Sequence, residues 1–188
     1  MIFNFMGGIN MGLKMGTVRL EEYNNNWQKE FEEEKKNLEK IFQDVAINIE
    51  HVGSTSIEGI SAKPIIDIAV GVNKLNDFEK VRNKFINNKD YSVREENTEG
   101  EILVRKGASE NITHLIHVME YKSERYQNTI IFRDYLRKNI EEKNQYEKLK
   151  EELAERYKDD RKMYTASKND FIQKILEKAK KFYNIDCE

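Results

Sequence analysis

The chain has 188 residues, 38% of them hydrophobic, enough for one good core with a helical appendage and too few for two comfortable domains. Its 32 Lys and Arg against 34 Asp and Glu leave a formal net charge of −2, which argues against nucleic acid as the main partner, since no basic footprint for a phosphate backbone is present. Cys187 is the only cysteine, so an internal disulfide and a thiolate metal site are excluded and a reducing, cytoplasmic setting is expected; the longest apolar stretches, such as residues 64–72, fall far short of the ~20 that cross a bilayer, and no membrane association is expected.

In chain order, residues 1–16 are mildly apolar but have neither a basic run before the apolar part nor a small-residue cleavage site, and they are expected to form a poorly ordered extension, with Met11 or Met15 as an alternative first residue. Across residues 20–45, Tyr23, Trp27, Phe31, Leu38, Ile41, Phe42 and Val45 recur at three- and four-residue spacings on a Glu/Lys/Asn background, which predicts one long amphipathic helix. AINIEHV is rich in β-branched residues and runs into Gly53, while IIDIAVGV is apolar except for Asp67; both read as central strands, the second buried on both faces. Asn76 precedes Phe78, Val81, Phe85 and Ile86 and reads as the cap of a helix, with Asp77 and Glu79 in the first turn. YSVREEN and EILVRKG, separated by a Thr-Glu-Gly turn, and then ITHLIHVMEY are expected to add antiparallel strands. Beyond Lys122 the spacing predicts three helices, around Tyr126–Ile130–Leu136, Tyr146–Leu149–Leu153–Tyr157, and Phe171–Ile175–Ala179–Phe182. The expected organisation is an α+β core over residues 17–121 with a small mixed sheet, and a helical part over residues 122–188 packed on that core.

Candidate chemistry concentrates between Glu50 and Asp67. A Gly-Ser step at a strand exit lets backbone N–H groups approach phosphate oxygens, because glycine lacks the Cβ that would block them, and Ser54, Thr55 and Ser56 add three hydroxyls. An Asp inside an apolar strand leaves water only at high cost unless something compensates its charge. For Asp67 the candidates are a divalent metal carrying nucleotide phosphates or the ammonium of Lys63. Mg²⁺ takes only one or two protein carboxylates and fills its other positions with water and phosphate, so a single Asp suffices for half a site. Each feature also has a plainer explanation: Gly53-Ser54 as a strand-exit turn, Asp67 as a salt bridge to Lys63, the three histidines as packing residues.

The run IEHVGSTSIEGISAKPIIDIAV resembles the signature of the GrpB family, an uncharacterised family of the nucleotidyltransferase superfamily. TVRLEEYNNNWQKEFEEEK resembles that family's opening segment, HLIHVME its histidine-containing strand, and FRDYLR with YTASKNDFI its helical part, so the likeness runs from about Val18 to the end. The resemblance implies a nucleotidyltransferase-like fold in which Gly53, Ser54, Thr55 and Ser56 contact a nucleoside triphosphate and Asp67 holds Mg²⁺ or Mn²⁺. Lys63, Arg105, Arg133 and Lys168 are candidates to complete the triphosphate pocket. The superfamily's metal strand carries a second acid two residues after the first, and here that position is Ala69. Glu50 is a candidate replacement ligand, and His114 or His117 a candidate catalytic or metal-binding residue; strand alternation puts His114 and Glu120 on one face and His117 on the other. Two functions follow as expectations: metal-dependent transfer of a nucleotidyl group to a small-molecule or protein acceptor, or binding of a nucleotide or other anion without turnover by an accessory or sensor module. The chain is expected to act as a monomer or homodimer.

Overall fold

A computed structural model describes residues 11–94 and 100–185. Helix α1 (Asn26–Phe42) leads into β1 (Ala46–Val52), and β2 (Ile66–Val72) returns antiparallel to it. Helix α2 (Glu79–Ile86) is followed by β3 (Tyr91–Val93), β4 (Glu101–Lys106) and β5 (His114–Glu120). The last third is helical: α3 (Glu124–Lys138), α4 (Ile140–Arg156), α5 (Arg161–Ala166) and α6 (Asn169–Phe182). The strands form one mixed sheet in the order β1-β2-β5-β4-β3. The α+β class, the small mixed sheet and the helical C-terminal part are as the sequence indicates.

One face of the sheet is closed by α1 and α2. Trp27, Phe31, Leu38 and Phe42 from α1 and Phe78, Val81 and Phe85 from the α2 region pack on Ile49, Ile66, Ile68, Val70, Val72, Val104, Ile116 and Val118. Each of these fully buried large side chains contributes about 1.5–3 kcal/mol of transfer free energy, so this layer anchors the sheet. On the other face α3 packs against β1, β2 and β5, with Tyr126 and Ile130 against Val52, Ala69 and Met119. Ile57 and Ile60, from the loop after β1, pack against Tyr135, Leu136, Tyr146, Ile175 and Ala179, so the helical part fixes the loop that follows Gly53.

Several local expectations are corrected. The first helix begins at Asn26 rather than near Leu20, because Glu21 and Ala62 exchange both backbone hydrogen bonds (2.8 and 2.9 Å), which holds that segment extended. Leu75–Phe78 is a 3-10 turn, and Asp77, not Asn76, supplies the capping side chain by accepting from the Lys74 N–H at 3.0 Å. Strand β5 is antiparallel to β4 but parallel to β2, since the chain crosses over through α2 before returning. A short helix, α5, stands between the expected second and third C-terminal helices. Of the segment read as an N-terminal extension, residues 1–10 lie outside the described residues. Residues 12–16 are tied down by hydrogen bonds to Pro64, Ser109, Ile112 and Arg161. Most of the Thr-Glu-Gly turn also lies outside the described residues.

Candidate functional site

Strand register decides which side chains meet on this second face. Val52 lies opposite Asp67 and Glu50 opposite Ala69 on β1; His117 lies opposite Ala69 on β5; Leu103 lies opposite His117 on β4. With alternating side chains, Glu50, Val52, Asp67, His117, Glu101, Leu103 and Arg105 therefore share one face. His114 falls on the other, near Glu30 of α1, with its Nδ1 on the Thr113 hydroxyl at 2.9 Å. Burial lowers its pKa to about 4. It takes no part in the Asp67 cluster, contrary to its place among the expected catalytic residues.

Asp67 sits at the centre. Its Oδ1 lies 3.4 Å from His117 Nε2, and His117 Nδ1 lies 2.6 Å from Glu101 Oε1. The Arg125 guanidinium donates to the other Glu101 oxygen at 2.9 Å. The Asp67 and His117 side chains are 27% and 25% exposed. Burial alone would push the Asp67 pKa up, but His117, Lys63 and Arg161 outweigh it and hold the carboxylate below its usual range. Burial likewise works against charge on His117, yet the two flanking carboxylates raise its pKa to about 9. The trio is an imidazolium between two carboxylates at neutral pH.

The Gly-Ser turn is built against Asp67. Gly53 has φ 67° and ψ −173°, a conformation essentially restricted to glycine, and a Cβ there would come within 3.0 Å of three Asp67 side-chain atoms. The glycine is thus required by the acid as much as by any ligand. Ser54 is half-buried, its hydroxyl 3.4 Å from the Tyr146 hydroxyl of α4. The other two hydroxyls turn inward: Thr55 to His51 Nε2 at 3.0 Å, and Ser56 to the Gly53 carbonyl at 2.6 Å. His51, whose pKa burial lowers to about 3, stacks on Phe31 and is a packing residue.

Cations line the opposite side. Lys63 Nζ lies 5.7 Å from the centre of the Tyr164 ring and Lys168 Nζ 4.4 Å from it. Burial, with Arg161 and Lys168 nearby, lowers the Lys63 pKa to about 7. Arg161 is also held below its usual value, by burial and by Arg105, against the pull of Asp67. Among the described residues, no ion pair within 4.0 Å joins Lys63, Arg105, Arg161 or Lys168 to a carboxylate, and the expected alternative of an Asp67–Lys63 salt bridge is not formed. A cavity of about 770 Å³ opens beside this group, lined by apolar Leu103, Ile112 and Leu115 together with Arg105, Arg161, Asp159 and Asp160.

Arg133 and Glu50 are occupied with each other. Arg133 donates to Glu50 Oε2 and the His51 carbonyl, both at 2.8 Å, and to Asp134 at 2.7 Å. The guanidinium braces the end of β1 instead of facing the cations, and it neutralises the carboxylate expected as a second metal ligand. Glu101, Arg125 and Arg161 escaped the sequence reading. Alternation along EILVRKG puts Glu101 on the face of Arg105, but only the β4–β5 pairing brings it to His117.

Residues 17–178 match the model of the family described as GrpB protein. The chain belongs to the GrpB family. It is 39% identical over 170 residues to the glutamate-rich protein GrpB of Alkalihalophilus pseudofirmus, covering 88% of this chain and 98% of that one. It is 32% identical to the UPF0157 protein YqkA of Bacillus subtilis over 88% of this chain, and spans 48% of that longer protein. The crystal structure of conserved protein GrpB from Enterococcus faecalis superposes with a TM-score of 0.80 at 32% identity, over 88% of this chain and 99% of that one. The GrpB signature thus folds into the turn and strand that bring Gly53 against Asp67.

Proposed function

We propose that this GrpB-family protein transfers a nucleotidyl group from a nucleoside triphosphate to an acceptor hydroxyl, in a reaction dependent on a divalent metal. The observation that carries this reading is the gathering of Lys63 and Arg161 near Asp67, with Lys168 and Arg105 beside them, none ion-paired to a carboxylate within 4.0 Å among the described residues. Crowding Lys63, Arg161 and Lys168 costs stability, and a bound polyanion offsets that cost. Mg²⁺ and Mn²⁺ fit a donor set of one carboxylate with one adjacent imidazole when phosphate supplies further oxygens, although among the described residues no three His, Cys, Asp or Glu side chains converge. Such an ion would neutralise the triphosphate and the departing pyrophosphate.

The residues divide the work. Lys63, Arg105, Arg161 and Lys168 bind the β- and γ-phosphates and stabilise the charge that develops there. The glycine at position 53 lets the α-phosphate approach the backbone beside Asp67, and Ser54 offers it a hydroxyl. The acceptor oxygen forms a bond to the α-phosphorus, the bond from that phosphorus to the bridging oxygen breaks, pyrophosphate leaves, and the acceptor's proton passes to solvent. The test is pyrophosphate release from each nucleoside triphosphate with Mn²⁺ or Mg²⁺, repeated with Asp67→Ala. Release that requires Asp67 supports transfer, and equal release by both proteins refutes the role given to Asp67. Ala69, together with the neutralised Glu50, favours a second reading, nucleotide binding without turnover; its mark is a nucleotide-dependent rise in Tm with no pyrophosphate in any mixture.

A further inference from the structure

We propose that Asp67 and His117 together seat a divalent first-row metal that accepts imidazole nitrogen, and that Glu101 is the positioning residue of this seat. The side chain that fills the place left by Ala69 is not another acid but the imidazole of its register partner on β5. Two ligands bound cis to one ion at bonds near 2.1 Å stand about 3 Å apart. Asp67 Oδ1 and His117 Nε2 stand 3.4 Å apart, and their side chains are 27% and 25% exposed. The far nitrogen of His117 is held by Glu101 at 2.6 Å, and Glu101 is in turn held by Arg125 at 2.9 Å. This carboxylate–histidine arrangement is the one metal-ligating histidines ordinarily make: the outer acid keeps the proton on Nδ1 and fixes the ring, and an ion bound at Nε2 takes the place of the proton that otherwise bridges to Asp67.

The donor set also selects the metal. Mg²⁺ strongly prefers oxygen, whereas an imidazole ligand favours later first-row ions, with affinity rising from Mn²⁺ to Co²⁺. Only two protein donors meet here, so the ion binds weakly by itself and more tightly when a triphosphate adds oxygens. The ion's catalytic role rests on the transfer reading above, while the seat stands on geometry alone.

Mn²⁺ binding to the full chain is followed by loss of the free-ion EPR signal, with Mg²⁺ as competitor, each variant first being checked by circular dichroism and melting. Mn²⁺ should bind at least about tenfold more tightly than Mg²⁺. Asp67→Asn should abolish binding, His117→Gln should weaken Mn²⁺ and erase its advantage over Mg²⁺, and Glu101→Gln should weaken Mn²⁺ by about 10–100-fold without loss of fold. His117→Asp should shift preference toward Mg²⁺. The wild-type protein gives an independent readout: of its three histidines, Mn²⁺ should broaden the ring resonances of His117 first, since His51 and His114 point to the other face. Failure to bind Mn²⁺, equal affinity for both ions, or a His117→Gln variant with wild-type Mn²⁺ affinity overturns the seat. Pyrophosphate release in the face of such a result leaves transfer standing. The expected binding pattern without any release keeps the seat and removes transfer.

Discussion

Gly53→Ala tests the claim that turn and acid are built as one unit. At φ 67° and ψ −173° an alanine is strained, at about 1–3 kcal/mol. Its Cβ also comes within 3.0 Å of the Asp67 Cβ, Cγ and Oδ2, an overpacking that costs a further ~1–3 kcal/mol. Taking about 2 kcal/mol for each, the loss is roughly 4 kcal/mol, which in a chain of this size lowers Tm by about 8–16 °C. Thermal melting followed by circular dichroism measures it. A double-mutant cycle isolates the contact: Asp67→Ala removes Cγ and Oδ2 but leaves the backbone strain, so Gly53→Ala should cost about 1–2 kcal/mol less in that background. A Gly53→Ala protein melting within about 2 °C of wild type would refute the reasoning outright. Additive costs in the cycle would show that strain alone requires the glycine.

Arg133→Ala leaves Glu50 and the His51 carbonyl without their donor, and since the arginine side chain is 8% exposed, denaturant unfolding should show a loss of about 2–4 kcal/mol; a loss under about 1 kcal/mol would show that the brace is dispensable. Lys63→Met removes a half-buried amine repelled by Arg161 and Lys168, so the ligand-free protein should be as stable as wild type or more so, while the Tm rise produced by ATP with Mn²⁺ should shrink; a ligand-free Tm well below wild type would contradict the charge reading. Burial, with Lys106 nearby, outweighs Glu34, the Glu30 backbone and Asp67 and lowers the His114 pKa to about 4. Between its unfolded value near 6.5 and that point the unfolded chain binds a proton the folded one does not, so stability is lost as pH decreases through this window, by up to ~1.4 kcal/mol per unit. Unfolding at pH 7 and 5 should show a smaller drop for His114→Phe, and parallel curves would rule out this histidine as the source.

Local features are legible in the chain alone. The three- and four-residue spacing of Trp27, Phe31, Leu38 and Phe42 specified α1, because burying one stripe requires that period. The unbroken run around Asp67 specified a strand covered on both faces, and alternation separated His114 from His117 before any neighbour was known. The start of α1 was not legible, since Glu21 is held extended by a bridge to the distant Ala62. The composition of the site was only half legible. Gly53 and Asp67 lie in one short motif, but the contact between them, the placing of His117 beside Asp67, and the pairing of Glu50 with Arg133 depend on register and on where α3 docks. Arg161 and Glu101 carried no local signal, because a charge on a surface-like segment reads the same whether it meets water or an active cleft. Periodicity reports whether a side chain faces a core, a property of its own segment; which charge faces which is fixed by strand order and helix docking, and only the tertiary structure decided it.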